Sequence, residues 1–157
     1  MDPDILKDVI DGLIKNAIEN TPDEGAVYVK LESSDQMLLI KIQDTGIGIT
    51  EENKARIFDG LFHTQETDLY GSGRPYDFNA GGKGLDLLLA RIYGQRFGFD
   101  ISMKSARCIN IPTDKDMCPG QISKCPHCRN IADCESAGGS TFVIVMPAPT
   151  SIIDDTE

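Results

Sequence analysis

Three places in this sequence pair a polar side chain with the backbone freedom that small-ligand chemistry needs, and a fourth gathers thiols. Asn16 stands in Leu13-Ile14-Lys15-Asn16-Ala17-Ile18, at the edge of an apolar helical stripe. An amide oxygen there can ligate Mg²⁺, which takes oxygen donors and keeps waters for phosphates. Taken alone, a helix asparagine bonded to a neighbouring loop is the simpler account. Asp44 follows a buried strand and precedes Gly46-Ile47-Gly48. A carboxylate held there can accept from an exocyclic amine, while the glycines let backbone approach a ligand closely; a plain Asp-x-Gly turn is about as good an explanation. Gly81-Gly82-Lys83-Gly84 opens a helix, where free N–H groups and the helix dipole favour phosphate. A flexible helix entry explains that glycine run nearly as well.

The thiols are Cys108, Cys118, Cys125, Cys128 and Cys134, all within residues 105–138. Cys125-Pro126-His127-Cys128 is a knuckle whose turn can aim two thiolates at one ion. Structural Zn²⁺ takes four soft ligands, and the spacing favours Cys118, Cys125, Cys128 and Cys134, with Cys108 as the alternative. An iron–sulfur cluster on the same thiolates, a reversible disulfide across the knuckle and a set of free thiols compete with it. The segment holds few apolar residues, so metal binding is expected to supply its folding energy.

The elements that must position these groups follow from periodicity. Residues 4–20 form an amphipathic helix that Thr21-Pro22 stops. Val27, Val29 and Leu31 alternate on one strand and Leu38, Ile40 and Ile42 on the next, as in a hairpin joined by 33–36. Thr50 caps a short helix to about Phe58. Residues 59–82 are Gly-rich and too long for an idle connection. A helix from about Gly84 ends near Gly98, strands follow at 99–103 and 141–146, and 148–157 is a polar tail. The 157 residues make one domain, with a net charge of −10 and a pI near 4.6. That acidity argues against nucleic acid and against an anionic membrane as partners. No apolar run approaches the ~18 residues of a span, and Met1-Asp2-Pro3-Asp4 is no signal peptide, so a cytoplasmic chain is expected.

Five segments, in order, resemble the ATP-binding boxes of sensor histidine kinases. Leu13–Pro22 resembles the N box, and Asp44-Thr45-Gly46-Ile47-Gly48-Ile49 the first glycine box. Arg56-Ile57-Phe58-Asp59-Gly60-Leu61-Phe62 is similar to the F box. Gly82-Lys83-Gly84-Leu85-Asp86-Leu87 resembles the second glycine box, and Gly138-Gly139-Ser140-Thr141-Phe142 the last. The resemblance covers residues 4–104 and 138–147. The Thr-Pro after the N box leans toward kinases rather than the related gyrase, chaperone and mismatch-repair ATPases. It implies a two-layer α/β sandwich of the Bergerat type, a mixed sheet with helices on one face. The strand that precedes the N-box helix in the family has no counterpart, which implies truncation at the N-terminus. Residues 1–147 would be the catalytic domain, with 59–82 as lid and 105–138 as a Cys-rich insertion.

On that resemblance Asn16 holds Mg²⁺, Asp44 bonds the adenine amine of ATP, Gly46 and Gly48 shape the base pocket, and Thr141 backs it. Asn20 and Phe62 belong to the same boxes. Gly82, Lys83, Gly84 and Leu85 meet the phosphates, with Arg74 or Lys83 as the cation. The implied partners are a histidine-bearing dimerisation domain and a response regulator. The stretch itself would be monomeric, within a homodimer that can be membrane-anchored.

Departures from the pattern concern rate more than binding. Gly12 stands where an Asn or a general-base Glu is usual, Glu19 and Asn20 where a cation and an aromatic residue are common, Gln65 where a lid Lys is frequent, and Asp86 where a glycine is. Neither His63 nor His127 has the context of a phospho-acceptor. Two other readings therefore stand beside the kinase: a non-catalytic module that binds nucleotide or a partner and signals through the thiol insertion, and an anti-sigma-type Ser/Thr kinase.

Overall fold

The computed structural model describes residues 2–34, 36–59, 76–80 and 85–148. The chain opens on helix α1 (Pro3–Asn20), whose N-terminus Asp2 caps by accepting from the Asp4 N–H at 3.0 Å, with Pro3 in the first turn. Val9, Leu13 and Ala17, spaced i and i+4, are its buried stripe. It stops at Thr21, extended because Pro22 follows, and the Thr21 hydroxyl donates back to the Ala17 carbonyl at 2.7 Å.

Strands β1 (Val27–Ser34) and β2 (Met37–Asp44) form an antiparallel hairpin with Val27 opposite Asp44. After a short helix α2 (Glu51–Lys54) come helix α3 (Asp86–Phe97), strand β3 (Asp100–Ala106), a 3-10 helix (Ile122–Lys124), helix α4 (Ile131–Ala137) and strand β4 (Gly139–Pro147). The sheet order is β1-β2-β4-β3. Strand β4 lies between β2 and β3, and its alternating burial puts Ser140, Phe142, Ile144 and Met146 on the face covered by α1 and α3. Ile40 and Ile42 join them from β2, Leu87 and Ala90 from α3, and Phe99 from the turn beyond it. Phe58 closes the core edge-on to Phe142, with ring centroids 6.4 Å apart.

Four expectations change. The sheet is antiparallel rather than mixed, because every described strand pairs only with antiparallel neighbours. Helix α2 ends at Lys54 rather than near Phe58; bonds such as Arg56 N–H to Asn53 O tighten the chain into turns that deliver Ile57 and Phe58 to the core. Val29 and Leu31 do face the side of Ile42 and Ile40, yet remain 52% and 67% exposed, because β1 is the sheet edge and of its residues Val27 is the one that packs on the core. The cysteine segment also builds a small core of its own: Ile122, Cys128 and Ala137 are buried, with Cys108, Cys125 and Cys134 packed on them. Its helix α4 is capped by Asn130, which accepts from the Asp133 N–H.

Candidate nucleotide site and thiol cavity

Strand parity creates the most unusual group in the molecule. Ile40, Ile42 and Asp44 alternate onto the helix-covered face of β2, so the register that buries two isoleucines also buries a carboxylate, left only 4% exposed. Its Oδ1 accepts from the Gly46 N–H at 2.9 Å and the Ser140 N–H at 3.1 Å. Burial pushes the Asp44 carboxyl up to about 6, against the pull of those two N–H donors. Among the described residues both hydrogen bonds of this carboxylate fall on Oδ1, which leaves Oδ2 as the oxygen for an incoming amine.

The two glycines have a different reason from the one their spacing suggests. A Cβ on Gly46 would lie 2.3 Å from the Asn20 carbonyl oxygen, and one on Gly48, at φ +66°, only 1.8 Å from that of Ala106. They let the turn press against the chain's own backbone, between the end of α1 and the end of β3. Ile47 N–H bonds to Asn20 O at 3.1 Å, and the buried Thr45 hydroxyl accepts from Ala26 N–H at 3.0 Å. The turn is therefore held before any ligand arrives.

Thr141 is not beside this pocket. In the register Asp44 faces Ser140 and Gln43 faces Thr141, so Thr141 points to the opposite face of the sheet. Ser140 is the residue next to Asp44, and its Oγ lies 2.9 Å from Ser105 Oγ. Counting two residues at a time back from Phe142 along the final strand reaches Ser140, a signal present in the sequence.

Asn16 is half-buried on α1, one turn from Asn20, whose side-chain amide donates to the Asn16 carbonyl at 2.7 Å and to Asn16 Oδ1 at 3.3 Å. The buried Glu19 accepts from Tyr76 N–H through its carboxylate and from Asn79 N–H through its carbonyl, which ties residues 76–80 to α1. A groove of about 310 Å³ runs between α1 and α3, lined by Asp8, Asp11, Gly12, Lys15, Tyr76 and Asp86 among others. Gly12 makes room for Asp86: a Cβ there would meet the Asp86 Cβ at 3.3 Å. Lys15, not singled out by the motifs, lies 3.5 Å from Asp86 and 3.7 Å from Glu19. Leu85 is the residue before α3, whose first turn carries Asp86. Phe62, Arg74, Gly82, Lys83 and Gly84, with most of the expected lid, lie outside the described residues.

The insertion adds a cavity of about 240 Å³ whose lining includes all five cysteines and His127 together with Pro22, Gly46 and Ile47. The Cys125 sulfur takes hydrogen bonds from the His127 and Cys128 N–H groups and the Cys128 thiol; these outweigh burial and hold it below the usual thiol range. The Cys118 sulfur takes one from Gly120 N–H, but burial raises that thiol. Burial, the Cys125 hydrogen bond and the Cys125, Cys134 and Cys108 sulfurs push Cys128 up to about 12, and burial with the Cys108, Cys118 and Cys125 sulfurs raises Cys134 against the Cys128 hydrogen bond. As they stand the cysteines are free thiols, and among the described residues no three His, Cys, Asp or Glu side chains are arranged to hold a metal ion. The expected zinc or iron–sulfur centre on Cys118, Cys125, Cys128 and Cys134 is thus not a formed site: the thiols line one cavity without closing around a point.

Residues 1–150 match the model of the histidine kinase-, DNA gyrase B- and HSP90-like ATPases. The chain belongs to this family. It is 32% identical over 98 residues to the sensor histidine kinase RppB of Synechocystis, 62% of this chain and 20% of that protein. With the adaptive-response sensory kinase SasA of Rippkaea orientalis it shares 42% identity over 76 residues, 46% of this chain and 19% of SasA. The chain thus spans about a fifth of the curated relatives it matches. Its fold is that of the mycobacterial sensor histidine kinase MprB (TM-score 0.60, 19% identity, 94% of this chain and 72% of the other). The full-length ShkA solved with AMPPNP gives a TM-score of 0.56 at 19% identity, over 91% of this chain and 21% of that one. This is an ATP-binding catalytic domain of the histidine kinase type. Among its described residues no helix is long and apolar enough to cross a membrane.

Proposed function

We propose that this domain transfers the γ-phosphoryl group of ATP to a histidine on a separate dimerisation domain, from which a response regulator takes it, in a cytoplasmic setting. The observation that carries the reading is Asp44, a buried carboxylate with one oxygen fixed by Gly46 and Ser140 and the other left for the adenine amine. Discrimination follows, because a purine without that amine leaves a buried acceptor unpaired. Ser140 sits next to the base, and Thr141 takes no part. Asn16 offers an amide oxygen suited to Mg²⁺, the ion that bridges and neutralises phosphates in such transfers. Asn20 orients it through the paired amide bonds. Lys15 sits between Asp86 and Glu19 on the wall of the groove, and Lys83, Arg74 and the Gly82–Leu85 box are the phosphate-binding residues that the family's motifs imply. Gly12 leaves the usual general-base position of α1 without a side chain, which favours phosphotransfer over hydrolysis, although Asp8 and Asp11 line the same groove.

The same domain carries a metal reading for the insertion: Zn²⁺, with an iron–sulfur cluster as the alternative, on Cys118, Cys125, Cys128 and Cys134, Cys108 being the spare. The knuckle N–H bonds to Cys125 and the shared cavity support it. Gly12 and Asp86 favour the second reading, a nucleotide-binding module without transfer, since Asp86 adds negative charge at the phosphate end. Calorimetric titration with ATP, with and without Mg²⁺, separates binding from no binding, with Asp44→Asn as the control. Transfer of labelled phosphate to a supplied histidine domain then separates kinase from silent module, and labelling of a serine protein instead would overturn the histidine assignment.

A further inference from the structure

One row of polar residues crosses three adjacent strands at the end of the core. The register sets Asp44 of β2 opposite Ser140 of β4, and Ser140 opposite Ser105 of β3. The row two residues further in is apolar: Ile42, Phe142 and Met103. Asp44 and Ser140 are buried and Ser105 is half-buried, so each polar atom here needs a partner. The Ser105 hydroxyl is the hub of the row. Its Oγ lies 2.9 Å from the Ile49 nitrogen, 3.2 Å from the Gly139 carbonyl oxygen and 2.9 Å from Ser140 Oγ. A serine hydroxyl has one proton to give and two lone pairs to accept with. The Ile49 N–H can only donate, and the Gly139 carbonyl can only accept. One arrangement alone makes all three contacts hydrogen bonds: Ser105 donates to Gly139 O, accepts from Ile49 N–H and accepts from the Ser140 hydroxyl. Ser140 has then committed its only hydroxyl proton, as its N–H is committed to Asp44 Oδ1 at 3.1 Å. Its Oγ keeps lone pairs alone, beside an Asp44 carboxylate whose Oδ2 is likewise an acceptor.

We infer that Ser105 is a positioning residue for base specificity: by drawing the Ser140 proton away, it leaves acceptors and no hydroxyl donor beside the base, which suits a 6-amino purine and repels a 6-oxo purine. The inference rests on Asp44 as the acceptor of the adenine amine and adds what the carboxylate alone does not supply. A free serine hydroxyl is an adaptable partner, because it can turn its proton toward a carbonyl as readily as its lone pairs toward an amine. With Ser105 in place, that rotation gives up a hydrogen bond and leaves a Ser105 lone pair without a partner. Ser105 also ends the Asp44–Gly48 turn through the Ile49 N–H. Its loss therefore has a general part, felt by every nucleotide, and a selective part that acts through Ser140. The ratio of two affinities isolates the second.

The test is titration calorimetry of the full chain with Mg-ATP and with Mg-ITP, its 6-oxo counterpart, at pH 8, where Asp44 is ionised. The wild type is expected to bind ATP at least about a hundredfold tighter than ITP. Ser105→Ala should lower that ratio by about tenfold, whatever it does to both affinities together, and Ser105→Thr, which keeps a hydroxyl, should restore it. The double change of Ser105→Ala with Ser140→Ala should give the ratio of Ser140→Ala alone, because no hydroxyl remains to turn toward O6. A ratio unmoved by Ser105→Ala, or one lowered equally in the double variant beyond Ser140→Ala, overturns the inference and leaves the adenine assignment standing. Ser140→Ala is a second route that does not depend on the folding of any Ser105 variant. Its ratio should equal or fall below that of the wild type; a rise would mean that Ser140 donates to the base, and overturns the inference. A wild type that binds no ATP, or binds ATP and ITP within about tenfold of each other, overturns the inference together with the adenine assignment.

Discussion

Two aspartates stand at opposite ends of the proposed nucleotide site, and their surroundings give them opposite characters. Asp44 is buried, bonded by two backbone N–H groups and held in a turn that presses on the chain's own carbonyls. Asp86 has a side chain 44% exposed, beside a glycine, with Lys15 at 3.5 Å. The first is fixed before a ligand arrives, so it can select; the second sits in screened solvent and only tunes charge. Recognition is concentrated where desolvation makes a missing partner expensive.

The rigid end breaks most readily. Gly48→Val should destabilise the fold by more than about 3 kcal/mol, since its φ is +66° and its Cβ would collide with Ala106 O. Thermal unfolding checks this, and an unchanged midpoint would refute the account of the turn. Asp44→Asn should then weaken ATP binding by roughly 10- to 100-fold, the loss expected for a hydrogen bond to a charged group. The same change should stabilise the empty fold by about 3 kcal/mol at pH 7, because it relieves a buried charge. The sign follows from the raised pKa. Protonation of Asp44 favours the fold most fully below about pH 4, and this stability is lost as pH rises through about 6. Binding runs the other way: ATP affinity of the wild type should fall as pH drops below about 6, while Asp44→Asn shows no such step.

The exposed end should respond less. Asp86→Gly should tighten Mg-ATP binding by about two- to fivefold at low salt, an effect that shrinks as salt is added, as expected of a partly exposed charge. Lys15→Ala should weaken binding by a similar factor, and equal responses of Asp44 and Asp86 variants to salt would erase the contrast. The smallest effect separates neighbours: Ser140→Ala should alter ATP affinity slightly, and Thr141→Ala not at all.

The helix over residues 4–20, the hairpin, the C-cap at Gly98 and the alternating last strand were legible because each is dictated by local spacing, and α1, β1, β2, α3 and β4 follow it. Asp44 was legible too, as the polar residue that ends an apolar alternation. Ser140 was readable by parity but hidden by the motif's Thr141. The exposure of Val29 and Leu31 was not readable, because an edge strand carries the same alternation as a central one.

By itself the sequence determined the order of nucleotide-binding boxes, the family and the identity of the buried carboxylate, since these rest on residue type and short-range period. Only the tertiary structure decided what the glycines make room for, and that Gly12 and Asp86 are partners across two helices. It also decided that the thiol insertion packs on the Asp44–Gly48 turn. These are contacts between residues far apart in the chain, and they exist only once the sheet and its helices have brought them together.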